Sequence, residues 1–163
     1  MTAIGDAVQE RYAGARTDAA LLQAGLWVEQ VAALAYAAAA AGPLTGADRA
    51  HAERFAEHER EHAAVFETLL FALTVPVREH ATERDVAALI PGLDRMSRED
   101  ALAALEQLEG AAIAGQQLMG RRLEALDALR SVATVMAGGA QHLAVIRGLF
   151  GDARLVEAFE SGT

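Results

Sequence analysis

Apolar residues recur at alternating steps of three and four along four long stretches of the chain, the spacing of a buried helical stripe. The first stripe reads Leu22, Leu26, Glu29, Ala33, Tyr36, and the second Phe55, Glu59, His62, Phe66, Leu69. The third reads Leu102, Leu105, Glu109, Ala112, Gln116, and the fourth Val135, Gly139, His142, Ile146, Leu149. Stop and start signals bound four predicted helices. The first runs from about Asp18 to Ala41 and ends at Gly42-Pro43. The second starts near Thr45, with Asp48 three residues on, and continues to about Leu73, before Pro76. The third opens at Ser97, with Asp100 in the capping-box position, and runs to about Arg121. The fourth spans about Asp127 to Phe150, and DARLVEAFE after it predicts a short terminal helix.

The connections set the topology. Two are short, as in helical hairpins. Between the second and third helices lie about 23 residues holding Pro76, Pro91 and Gly92, with a helical turn or two expected from Thr82. That length suits a crossover returning the chain to the other end of a bundle. The expected fold is all-α: an antiparallel four-helix bundle, one domain over 1–163 with its core at 18–151.

Composition narrows the classes. Hydrophobic residues make up 53%, much of it alanine, with only 3 prolines and few β-branched or aromatic residues, which favours helix over sheet. Asp and Glu outnumber Lys and Arg by 23 to 14, so no basic face is expected and no nucleic-acid partner. With 0 cysteines, disulfides, zinc fingers and iron–sulfur clusters are excluded. The first twenty residues lack the apolar core of a signal peptide, and VAALAYAAAAAG reads as too short and alanine-rich for a membrane span. The expected setting is the cytoplasm, without a membrane partner.

Each stripe carries a polar group that solvent does not explain. A buried, unpaired carboxylate costs several kcal/mol, so it must be neutralised, paired or metal-bound. The two hairpins superpose at an offset of 80 residues: Glu29 meets Glu109, Glu59 meets Gly139 and His62 meets His142. Glu59-x-x-His62 puts a carboxylate and an imidazole on one helix face. Three glutamates and two histidines from four helices, converging at one level, invite a divalent pair.

These stretches resemble the ferritin-like superfamily, most closely its bacterial ferritin-like domain proteins. The resemblance rests on DAALLQAGLWVEQVAALAY, FAEHEREHAAVFETLL, LEQLEGAAIAGQQ and AGGAQHLAVIRGLFG. It implies Glu29, Glu59, His62, Glu109 and His142 as metal ligands, and iron or manganese, one or two ions, as cofactor. Tyr36, seven residues after Glu29, looks like a recurrent aromatic of the family, and Gln116 takes the matching place in the second half. The family's second bridging glutamate falls at Gly139. With three glutamates, a two-ion site carries about one excess positive charge, which calls for an outside anion, a substrate group near Gly139, or a single ion. Glu106 could substitute but faces off the stripe. Adjacent Gly138 and Gly139 also weaken a helix interior by about 1 kcal/mol each, pointing to an opening or a distortion there.

HEREH at 58–62 has a second reading, the zinc-protease helix with His58 and His62 as ligands and Glu59 as base. That reading needs a third ligand, for which only Glu79, His80 and Glu83 in the crossover are available, and a sheet, for which nothing in the pattern argues. The half-site reading leaves His58 unpaired, a flanking histidine aligned with Gly138. Trp27, Met119 and Met136 read as core filling, and His51, His80, Glu53 and Glu57 as surface. Two functions stay open. One is an iron- or manganese-dependent oxidoreductase activating dioxygen or peroxide. The other is a non-catalytic bundle, binding or structural, with a degenerate metal site. A homodimer is compatible with either.

Overall fold

The computed structural model describes residues 3–150. Among these residues six α-helices appear: α1 Ala3–Ala13, α2 Asp18–Ala41, α3 Gly46–Ala72, α4 Glu83–Leu89, α5 Arg98–Gly120 and α6 Leu126–Leu149. A 3₁₀ turn, Leu93–Arg95, precedes α5, and no strand occurs among the described residues. The four long helices are the predicted ones, within a residue or two at each end. The terminal helix expected in DARLVEAFE lies outside the described residues.

Side-chain contacts at the helix ends fix the topology. Asp18, at the start of α2, accepts from the backbone N–H groups of Glu124 (3.1 Å) and Ala125 (3.0 Å), which lead into α6. Arg98, at the start of α5, pairs with Asp48 at the start of α3 and donates to the Leu149 carbonyl at the end of α6 (3.3 Å). The starts of α3 and α5 therefore share one end with the finish of α6. α2 and α3 form one antiparallel hairpin, α5 and α6 the other, and the crossover returns the chain between ends. Asp48 is thus drawn away from the capping role expected of it, and Thr45 caps α3 without a side-chain hydrogen bond. Ser97 does cap α5, accepting from the Asp100 N–H at 3.1 Å.

Two glutamines seven residues apart on α2 hold the crossover. Gln23 donates to the Pro76 carbonyl (2.8 Å) and accepts from the Arg78 N–H (3.2 Å), and Gln30 accepts from the Ala81 N–H (2.9 Å). The helical turn expected from Thr82 is α4, started by a Thr82/Asp85 capping box. Val86, Ile90 and Leu93 then bury against the bundle.

α1 is the element the hydrophobic pattern missed. Its stripe has only three large members, Ile4, Val8 and Tyr12, all buried. α2 is the most apolar helix, and at 24 residues it is long and apolar enough to cross a membrane by length and composition. The alanine run alone suggests otherwise. Most of α2 is buried among its neighbours, and it carries Glu29 inward, so here it is the core helix.

Candidate metal centre

Five of the residues that the stripes turn inward meet at mid-bundle. Glu29 comes from α2, Glu59 and His62 from α3, Glu109 from α5 and His142 from α6. The three glutamates are each 2% exposed and His142 3%, which rules out solvent as their partner. His62 is the most open of the five, with 17% of its side chain exposed.

Two donor groups form, and Glu59 belongs to both. In one, His62 Nδ1 lies 3.0 Å from Glu59 Oε2 and 3.3 Å from Glu29 Oε2. In the other, His142 Nδ1 lies 2.7 Å from Glu59 Oε1 and 3.2 Å from Glu109 Oε1. Within each group the donor atoms lie within 4.8 Å of one another. Metal bonds of about 2.1 Å place two donors on one ion up to about 4.2 Å apart, so small side-chain adjustments would close either group on a cation.

The residues at the seven-residue step reach across the pseudo-symmetry. Tyr36, on Glu29's helix, donates its hydroxyl to Glu109 Oε1 at 2.5 Å. Gln116, on Glu109's helix, donates Nε2–H to Glu29 Oε1 at 2.7 Å. Each terminal glutamate is therefore oriented by the opposite hairpin. Tyr12 brings α1 into the same region: its hydroxyl is fully buried and has no hydrogen-bond partner among the described residues, and burial first, with nearby Glu29 second, raises it above the ordinary tyrosine range.

Burial pushes Glu29 well above the usual carboxylate range, and the Glu59 charge adds to this. Burial likewise raises Glu109, to about 7. Burial opposes ionisation of Glu59 too, but hydrogen bonds from His142, His62 and Glu29 outweigh it, and Glu59 is held well below its ordinary value. Burial opposes charge on the two imidazoles. Their carboxylate partners, Glu29 and Glu59 for His62, Glu109 and Glu59 for His142, raise them to about 10 and about 9.

The two glycines part company. A Cβ at Gly138 would lie 2.7 Å from both Cε1 and Nε2 of His62, so the missing side chain is the seat of that ring. A Cβ at Gly139 would lie 3.3 Å from Glu109 Oε2 and 3.5 Å from Ile113 Cγ1. Gly139 thus faces the site, as the alignment implies. The space expected to admit an anion or substrate group is already bordered by Glu109's own carboxylate. Glu106 is not a substitute, because it accepts from Arg147 Nε at 2.8 Å.

His58 requires a correction. It is not an unpaired flanking residue: its Nδ1 lies 3.1 Å from His142 Nε2, and the two rings stack with centroids 5.3 Å apart. The alignment, which sets His58 opposite Gly138, carried no signal for this partner. The protease reading fails on the same geometry, since His58 turns to His142 while His62 turns to Glu29 and Glu59. Of the third ligands it could call on, Glu79 is engaged with Arg11 and His80 with Gln30.

An all-α bundle with a buried glutamate–histidine cluster shared among four helices defines a class of carboxylate-bridged metal-binding folds. The ferritin-like domain family matches residues 17–152, and the chain belongs to it. No curated protein and no solved structure matches the chain.

Proposed function

We propose that this ferritin-like protein binds iron or manganese, one or two ions, between Glu29, Glu59, His62, Glu109 and His142, and uses them as an oxidoreductase toward dioxygen or peroxide. The observation that carries the reading is the sharing of Glu59: one carboxylate gives Oε2 to the His62 group and Oε1 to the His142 group. Mixed carboxylate and imidazole donors suit iron and manganese. Glu29 and His62 would hold one position, Glu109 and His142 the other, and Glu59 would join them. A redox-active ion bound there would exchange electrons with the oxidant. The chain's own part is to present the donors, exclude water through burial, and orient Glu29 and Glu109 through Gln116 and Tyr36. Three glutamates leave two divalent ions about one negative charge short, and one ion well compensated, so the single-ion state is built into the same donor set.

The competing reading, a non-catalytic bundle with a degenerate site, draws on Gly139. The test is reconstitution with Fe(II) under anaerobic conditions and separately with Mn(II), followed by elemental analysis, for wild type and Glu59→Ala. Uptake by wild type, most of it lost in Glu59→Ala, supports the metal reading, and oxygen consumption by the iron-loaded protein supports the oxidoreductase. A wild type that stays metal-free supports the degenerate bundle.

A further inference from the structure

We propose that His58 is a positioning residue for His142, fixing which of its ring nitrogens faces the metal centre; this rests on the metal reading above. An imidazole has one lone pair to give. If His142 Nδ1, which faces Glu59 and Glu109, gives its own to an ion, the ring proton sits on Nε2 and needs an acceptor. The only ring nitrogen bonded to His142 Nε2 among the described residues is His58 Nδ1, at 3.1 Å. With Nδ1 accepting, His58 carries its own proton on Nε2, and the residue is only half-buried.

Packing supports the same assignment. The His142 ring stacks on Phe55, with centroids 4.2 Å apart and planes at 25°, and on His58 at 19°. On the side away from the carboxylates the ring is therefore pinned by contact and by the single bond at Nε2. The His62 ring also stacks, on His142 with centroids 5.9 Å apart and planes at 25°, but among the described residues no directional bond is made to its Nε2. His58 aligns with Gly138, and at Gly138 the absence of a side chain makes room for His62 but gives its Nε2 nothing to bond. The two halves are unequal by construction. His142, on the helix that lacks the fourth carboxylate, is the one whose orientation is held. Outer hydrogen bonds of this kind set the tautomer and direction of metal-bound histidines, and their loss typically weakens metal binding about 10- to 100-fold.

Three variants test the proposal, with Co(II) as the probe, titrated by its visible absorption. His58→Phe keeps a stacking ring but removes the acceptor, and His58→Asn puts an amide oxygen near the place of Nδ1. His58→Ala, at this half-exposed position, gives the same loss without a bulky ring. The expected result is Co(II) binding weaker by about 10- to 100-fold in the Phe and Ala variants, with His58→Asn close to wild type. A Phe or Ala variant that binds as wild type does, or an Asn variant as weak as both, overturns the assignment while leaving the metal reading intact. Wild-type protein that takes up no Co(II) overturns the metal reading, and this inference with it.

Discussion

Gly138→Ala is the smallest change that reaches the site without replacing a ligand. In an exposed helix the substitution would stabilise by about 1 kcal/mol, because alanine restricts the unfolded chain and glycine does not. Here the new Cβ lies 2.7 Å from two atoms of the His62 ring, against 3.4 Å or more for ordinary contact. The ring must withdraw by about 0.7 Å, more than the roughly 0.5 Å within which a ligand constellation works. Withdrawal also displaces His62 Nδ1 relative to its partners Glu59 (3.0 Å) and Glu29 (3.3 Å). A hydrogen bond to a charged group is worth about 1.5–3 kcal/mol, so in the metal-free protein the two effects partly cancel.

Thermal melts of the metal-free protein should therefore shift by only a few degrees, while Mn(II) affinity by calorimetry falls at least about tenfold. A double-mutant cycle makes the reasoning sharper. In a His62→Ala background the clash disappears, and Gly138→Ala should recover its full helix gain of about 1 kcal/mol. Unaltered Mn(II) affinity in Gly138→Ala would refute the role given to His62. A helix gain of the same size in both backgrounds would refute the clash.

Gly139→Glu places a fourth carboxylate beside Glu109 Oε2. Without metal it should lower the melting temperature, since a buried like charge outweighs the better helix former; with metal it should raise stoichiometry toward two ions per chain, read by elemental analysis. Unchanged stoichiometry would mean that Glu109 and Ile113 close the position to metal. Tyr12→Phe removes a buried hydroxyl that has no partner, so the melting temperature should rise by a few degrees, on the order of 1 kcal/mol. A fall would show that the hydroxyl makes a hydrogen bond in solution.

The carboxylates and imidazoles were legible in the sequence because burial and helical period together leave a polar residue in an apolar stripe few explanations. Glu29, Glu59, His62, Glu109 and His142 each interrupt such a stripe, and the offset of 80 residues pairs Glu29 with Glu109 and His62 with His142 by position alone, leaving Glu59 opposite Gly139. The crossing bonds of Tyr36 and Gln116 were not legible. The seven-residue step puts each on the same face as a glutamate of its own helix, but which glutamate it reaches depends on how the hairpins face each other. His58 escaped for a related reason: it sits one residue before Glu59, off the stripe, and only the packing of α3 against α6 turns it to His142. α1 was missed because three large apolar residues in eleven make too weak a period, and its burial comes from a partner far along the chain, α5.

The metal-free site should lose stability as pH rises, and the sign follows from which state holds the proton. Glu109 titrates at about 7 in the fold against 4.5 unfolded, so between those values the folded state keeps a proton that the unfolded state has released, and stability falls with rising pH. Glu29, raised for the same reason of burial, acts in the same direction. His142 and His62 are raised from 6.5 to about 9 and about 10, so their contribution is complete below 6.5 and is lost as pH climbs through those values. Within the cluster Glu59 alone is lowered; its contribution is present above 4.5 and is lost only in acid. The groups facing this cluster from the same four helices, Tyr36, His58 and Gln116, bring no further carboxylate to it. From pH 5 to 9 the melting temperature of the metal-free protein should therefore drop, by about 10 °C if the combined linkage is a few kcal/mol. Metal reverses the slope. An ion must displace the protons on Glu29, Glu109 and both imidazoles, so its apparent affinity rises with pH and protons are released on binding. The metal-induced gain in melting temperature should widen across the same range, and calorimetry in buffers of different ionisation enthalpy should count the protons. A metal-free protein that grows more stable from pH 5 to 9 would refute the argument, because it would mean that the buried glutamates are ionised and paired in the fold without needing either protons or a metal.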